Sequence, residues 1–303
     1  MQKSARVKFV ASALGLASLA LMQSAFAGQD DELVPTGKGW GQRPDSWAAP
    51  GKAKPTGTGI NYHGGPVMLG TTNVYYIWYG NWGTNTAKTI LQDFATNIGG
   101  SPYYNINTTY YDGSNRHVSN SVHFAGSTDD NYSQGTALSD AQIKSVVQNK
   151  ITSGALPLDA NAVYFVLTSA DVNATSGFCT QYCGWHTHGT INGADIKYSF
   201  VGNPDRCLSS CAAQSVGPNG NAGADGMASI IAHELEEAVS DPDLNAWYDT
   251  RGMENADKCA WTFGTTQTAS NGAKYNMKLG TRNYLVQRNW VNAGSGSCAL
   301  AYP

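Results

Sequence analysis

The chain has 303 residues, a formal net charge of −3 and only 14% charged side chains, with no basic run along it. A phosphate backbone finds no clustered basic residues here to neutralise it, so nucleic acid is not an expected partner. After the first segment, no stretch reaches the ~20 apolar residues that a membrane crossing needs, so no membrane span is expected.

In chain order, Lys3, Arg6 and Lys8 precede the apolar run from Phe9 to Met22, and Ala25-Phe26-Ala27 supplies a small-residue cleavage site. This pattern predicts a signal peptide of bacterial type over residues 1–27 and export to the extracellular space or periplasm, with the mature chain beginning at Gly28. Residues 28–58 are rich in Gly, Pro, Lys and Asp and lack an apolar period, which predicts a flexible N-terminal arm or pro-segment. Residues 59–303 are within the size range of one domain with its own core.

Val74 to Tyr79 is β-branched and aromatic on both faces, so a buried strand is expected, with Trp78 in the core. Thr86 to Ile98 carries Ile90, Leu91, Phe94 and Ile98 at helical spacing. Val118 to Phe124 alternates as a strand. Ser139 is a good N-cap for a helix running to about Ile151. Ala162 to Leu167 and Lys197 to Val201 are expected as further strands. The order predicts a mixed α/β (α+β) sheet in a single zincin-like domain, with a late active-site helix packed beneath it.

Six cysteines lie after the leader: Cys179, Cys183, Cys207, Cys211, Cys259 and Cys298. An even number in an exported chain favours disulfides over a zinc-cysteine site. The expected pairing is Cys179–Cys183, Cys207–Cys211 and Cys259–Cys298.

The late helix carries Ile231-Ala232-His233-Glu234-Leu235-Glu236-Glu237. Residues four apart lie one above the other, so His233 and Glu237 aim an imidazole and a carboxylate at one point. Stepping about 100° per residue from His233, Glu237 falls near ~40°, whereas Ala228, Ile231, Leu235, Ala238 and Val239 gather around ~200°. The helix thus buries one face and turns His233 and Glu237 away from it, towards a cleft or a solvated surface. Pro242 stops it. The string reads as H-E-x-x-E and resembles the zincin helix H-E-x-x-H with its second histidine replaced by glutamate, an acceptable zinc ligand. By that resemblance zinc is held by His233 and Glu237, and Glu234 is the general base.

A third ligand is needed. Glu254, 17 residues after Glu237, is the preferred candidate, with Asp257 either orienting His233 from outside or itself the third ligand. Asp243, where metzincin-like proteins with an aspartate ligand carry theirs, is the rival. His186 and His188 alternate like strand residues on one face; beside a disulfide loop they are expected to be structural. His63, His117 and His123 show no partner pattern.

Tyr62-His63-Gly64-Gly65-Pro66-Val67-Met68, Ile77-Trp78-Tyr79-Gly80, Phe165-Val166-Leu167-Thr168 with Asp171-Val172, Phe178-Cys179 through Cys183-Gly184, Val201-Gly202-Asn203, Gly217-Pro218-Asn219-Gly220 and Asp225-Gly226-Met227 together resemble the EXORDIUM-like, or phosphate-induced protein, family. The resemblance implies secretion and one domain of that family's fold. Its plant members are known as extracellular growth-related proteins without established catalysis, and their pattern lacks the histidine and glutamates found here. Bacterial members similar to this chain carry the H-E-L-x-E string and a Glu-Asn-x-Asp-x-Cys segment, here Glu254 to Cys259.

The first expectation is therefore a secreted zinc-dependent hydrolase, a peptidase acting on peptide or protein substrates, with zinc on His233, Glu237 and Glu254 and Glu234 as base. Two carboxylate ligands would leave the site nearly neutral and its bound water a poor acid. The alternative is a non-catalytic EXORDIUM-like extracellular protein acting by binding, whose carboxylates take calcium or nothing. A glycosidase pairing Glu234 with Glu254 has less support.

Overall fold

The computed structural model describes Pro35, Thr36, Lys38 and residues 59–303. The expected leader, its cleavage site at Gly28 and nearly all of the expected arm lie outside the described residues. In chain order the elements are β1 (Asn61–Tyr62), β2 (Thr72–Tyr79), α1 (Ala87–Ile98), β3 (Val122–Asp130), β4 (Ala137–Leu138), α2 (Asp140–Thr152), β5 (Ala162–Thr168), β6 (Asn173–Ala174), β7 (Gly184–Ile191), β8 (Ala194–Gly202), α3 (Leu208–Cys211), α4 (Ala222–Ser240) and β9 (Trp247–Tyr248). Short two-stranded hairpins follow, for which no strand was expected from sequence.

Five strands form a mixed sheet in the order β3-β2-β5-β8-β7. The first four run parallel, and β7 closes one edge antiparallel to β8. Val74, Tyr76, Ile77 and Trp78 are buried to within 1% along β2, as a central parallel strand covered on both faces demands. Trp78 is a core residue, as expected.

The second expected strand is displaced. It runs from Val122 to Asp130, not from Val118 to Phe124, and Val118 instead donates its N–H to the Tyr110 carbonyl. The strand lies at the sheet's other edge, half exposed, so its later residues Ser127 to Asp130 carry no apolar alternation for a pattern to find. Helix α2 starts as expected: the Gln142 N–H reaches Ser139 Oγ at 3.3 Å, and Gln142 Oε1 accepts from the Ser139 N–H at 2.8 Å.

The two faces of β7 identify what covers each side of the sheet. A Cβ built on Gly184 would meet Ile230 and Glu234 of α4, whereas one on Gly189 would meet Lys144 of α2. Positions 184 and 189 point to opposite faces of a strand, so α2 and α4 lie on opposite faces of the sheet. His186 shares the face of Gly184 and looks at α4.

The hairpin joining β7 to β8 turns through Asn192-Gly193, with φ of 50° and 82°. Both values are positive, as a tight two-residue hairpin turn requires and as Asn-Gly accepts at low cost.

Two of the three expected disulfides are corrected. The bridges are Cys179–Cys207, Cys183–Cys211 and Cys259–Cys298, so only the last matches the sequence expectation. Cys207 and Cys211 are held in a helical turn by the Cys211 N–H on the Cys207 carbonyl, 3.0 Å. Residues four apart on a helical turn point the same way and cannot face one another. They face Cys179 and Cys183 instead, and the two bridges staple the base of the β7–β8 hairpin.

Candidate metal centre

Helix α4 begins at Asn221, whose side chain accepts from the Ala224 N–H at 3.0 Å. It is not amphipathic in place: both the apolar residues and His233, Glu234, Glu236 and Glu237 are buried, with the four polar ones no more than 3% exposed. The expected open cleft or solvated face is thus corrected. The wheel sorted the residues rightly, but strand β7 and the loop after β9 cover the polar sector.

That loop is fastened to α4. Asn255 Nδ2 donates to the Glu236 carbonyl at 3.1 Å and to Ser240 Oγ at 2.9 Å, and the Asp257 N–H donates to Glu237 Oε1 at 3.0 Å. A single helical turn over Asp257–Cys259, pinned by the Cys259–Cys298 bridge, sets Glu254 and Asp257 on the same side. Lys258 Nζ donates to Asp249 Oδ2 at 3.0 Å and steadies the loop from behind.

Five side chains from three separate segments then converge. His233 Nε2 lies 3.0 Å from Glu237 Oε1 and 3.3 Å from Asp257 Oδ1. His186 Nε2, from β7, lies 3.1 Å from Glu254 Oε1 and 3.7 Å from Glu237 Oε2. In each group the ligand atoms lie within 4.8 Å of one another. The expected trio of His233, Glu237 and Glu254 is therefore shared between two groups that meet at Glu237. Asp257 addresses the same imidazole nitrogen as Glu237, so of its two expected places it stands at the front of the His233 ring, beside Glu237, and not behind it.

His186, read from sequence as structural, is part of the centre. Its signal was the Asn192-Gly193 turn, which marks the strand that carries it. Asp243, the rival third ligand, is elsewhere: it stands in a partly exposed group with His188 and Asp195, where Lys197 Nζ approaches it at 3.1 Å and already supplies the positive charge.

The electrostatics follow from burial. Glu237 is pushed up to about 7 by loss of solvent and by the neighbouring Asp257 charge, against the pull of His233. Burial first, and then the surrounding acids, hold Glu234 and Glu254 well above the usual carboxylate range. Burial would lower His233, but Glu237, Asp257 and Glu234 raise it well above its ordinary value. His186 goes the other way, down to about 3, through burial and the like charge of His233. Burial thus favours the neutral forms of Glu234, Glu237, Glu254 and His186.

The residues fit a metal ion on a separate ground. Glu237 Oε2 and Glu234 Oε2 are buried and have no hydrogen-bond partner. An orphan carboxylate oxygen in the interior is costly unless a cation meets it. Donors held ~2.1 Å from a tetrahedral ion are about 3.4 Å apart, close to the spacings found around His233.

The family model for the phosphate-induced protein 1 conserved region matches residues 60–300. The chain is similar to Protein EXORDIUM-like 3 of Arabidopsis thaliana, 32% identical over 78% of this chain and 81% of the relative. Protein EXORDIUM-like 5 of the same plant is 33% identical over 76% of this chain and 75% of its own. Protein PHOSPHATE-INDUCED 1 of Nicotiana tabacum is 29% identical, over 66% and 71%. No solved structure matches. With nearly all the described domain inside the match, the chain belongs to the phosphate-induced protein 1 family.

Proposed function

We propose that this chain is an extracellular protein that acts by binding, and that its buried histidine and carboxylate centre holds a metal ion for structure and not for turnover. One observation carries this: His186, His233, Glu234, Glu237, Glu254 and Asp257 are each no more than 3% exposed. A catalytic zinc keeps an open coordination position that substrate can reach, and side chains buried to that degree favour a closed, structural site. Membership of the family and three disulfides, which suit an oxidising compartment, support the extracellular setting. The imidazoles favour zinc or a neighbouring first-row ion over calcium, which prefers an all-oxygen shell.

The second reading is the secreted zinc-dependent peptidase. It is favoured by Glu234, next to His233 and with a buried oxygen that nothing engages, where a general base for metal-bound water would stand. Glu234→Gln separates the two. Purified secreted protein is assayed for zinc and for cleavage of a peptide library. Retained zinc with no cleavage in wild type supports the binding protein. Cleavage by wild type that falls ~10²-fold or more in Glu234→Gln, with zinc retained, overturns it in favour of the peptidase.

A further inference from the structure

We infer that the centre takes two metal ions, bridged by Glu237, with the second ion on His186 and Glu254. The inference rests on the reading that the centre binds metal at all, and goes beyond it in number, ligands and geometry.

The two oxygens of Glu237 face different imidazoles. Oε1 lies 3.0 Å from His233 Nε2, and Oε2 lies 3.7 Å from His186 Nε2. Each histidine has a further carboxylate of its own, Asp257 Oδ1 at 3.3 Å for His233 and Glu254 Oε1 at 3.1 Å for His186. Two complete groups of three ligands therefore share one residue. A carboxylate with one oxygen in each group is the arrangement that spans a pair of ions about 3.5–4 Å apart.

Glu237 Oε2 supplies an independent sign of a ligand. Oε1 already accepts from the Asp257 N–H at 3.0 Å. Oε2 is buried with no hydrogen-bond partner, on the side where His186 and Glu254 stand. An ion held by His233, Glu237 Oε1 and Asp257 leaves that oxygen orphaned; a second ion between Glu237 Oε2, His186 and Glu254 satisfies it.

Charge counting agrees. Glu234, Glu237, Glu254 and Asp257 are buried together and carry four negative charges when ionised. Two divalent ions offset them, whereas one leaves two of the four acids to keep their protons. The ligand set of imidazole and carboxylate suits zinc, manganese or iron.

The test uses the full secreted chain, stripped with chelator and reloaded with zinc or manganese alone. Elemental analysis is expected to find two ions per chain in wild type and one in His186→Gln. The manganese-loaded wild type is expected to show a spin-coupled electron paramagnetic resonance spectrum in place of the isolated ion's pattern. That spectrum decides the matter even if the variant does not fold. One ion per chain with an isolated-ion spectrum overturns the pair while leaving the single-metal reading intact. No bound ion with either metal overturns both.

Discussion

His186 Nε2 lies 3.1 Å from Glu254 Oε1, across 68 residues of sequence. One side chain comes from an edge strand and the other from a loop after the last long helix, so the contact exists only once β7 is laid against α4. Burial first, then like charges, lower the histidine and raise the acid, so both shifts favour the neutral pair. A metal ion reverses that state by exchanging protons for a cation.

Chelation should therefore cost more stability at high pH than at low pH. Glu237 has a folded value of about 7, raised by burial above its ordinary 4.5. In the metal-free fold it holds its proton more tightly than the unfolded chain does. Its contribution is present below its unfolded value and is lost as pH rises through about 7. Thermal melts with and without chelator should diverge between pH 5 and pH 8, the loaded protein being the more stable at the upper end. Equal differences at both pH values would show that Glu237 does not meet the metal.

Asp241 offers a titration outside the ligand groups. Its Oδ1 accepts from the N–H groups of Asn245 and Ala246, each at 2.6 Å, yet burial raises it to about 6. A raised carboxyl contributes stability below its unfolded value of 3.8 and loses it as pH rises through about 6. Asp241→Asn keeps the accepting oxygen and removes the charge. The variant should match wild type near pH 4 and exceed it at pH 8 by up to about 3 kcal/mol in denaturant unfolding. A variant that is less stable at pH 8 contradicts this.

Gly184 sets how closely α4 approaches β7. A Cβ there would fall 2.5 Å from Ile230 Cγ2, 2.9 Å from the Phe200 carbonyl oxygen and 3.0 Å from Glu234 Oε1. Gly184→Ala should cost about 1–3 kcal/mol through overpacking and weaken metal retention by moving His186 from Glu237. Gly59→Ala, where nothing lies within 4 Å, is the control and should leave both unchanged.

The crossed disulfides can be read directly. A non-reduced digest that cuts after Tyr182 and Leu208 should yield peptides joined through Cys179–Cys207 and Cys183–Cys211, with no alkylatable thiol. Removing Cys183 and Cys211 together should cost about 2–5 kcal/mol. A peptide linking Cys179 to Cys183 would show that the hairpin base is not stapled as described.

The sequence by itself determined the elements whose apolar period is strong and local. β2, α1, α2, β5, β8 and α4 lie where composition and spacing put them, because buried strands and capped helices depend on neighbours a few residues away. It also determined that His233 and Glu237 act at one point, since four residues of helix bring them together wherever the helix packs. Tertiary structure alone decided the rest. The polar sector of α4 became interior because β7 and the 254–259 loop close over it, and a helical wheel contains neither. His186 joined the centre because β7 lies antiparallel beside β8, with Gly184 opening the approach to α4. The cysteines paired across 28 residues because a helical turn points its two thiols at a common partner segment. Each of these is a contact between segments remote in the chain, where physical proximity follows from packing and leaves no period in the sequence.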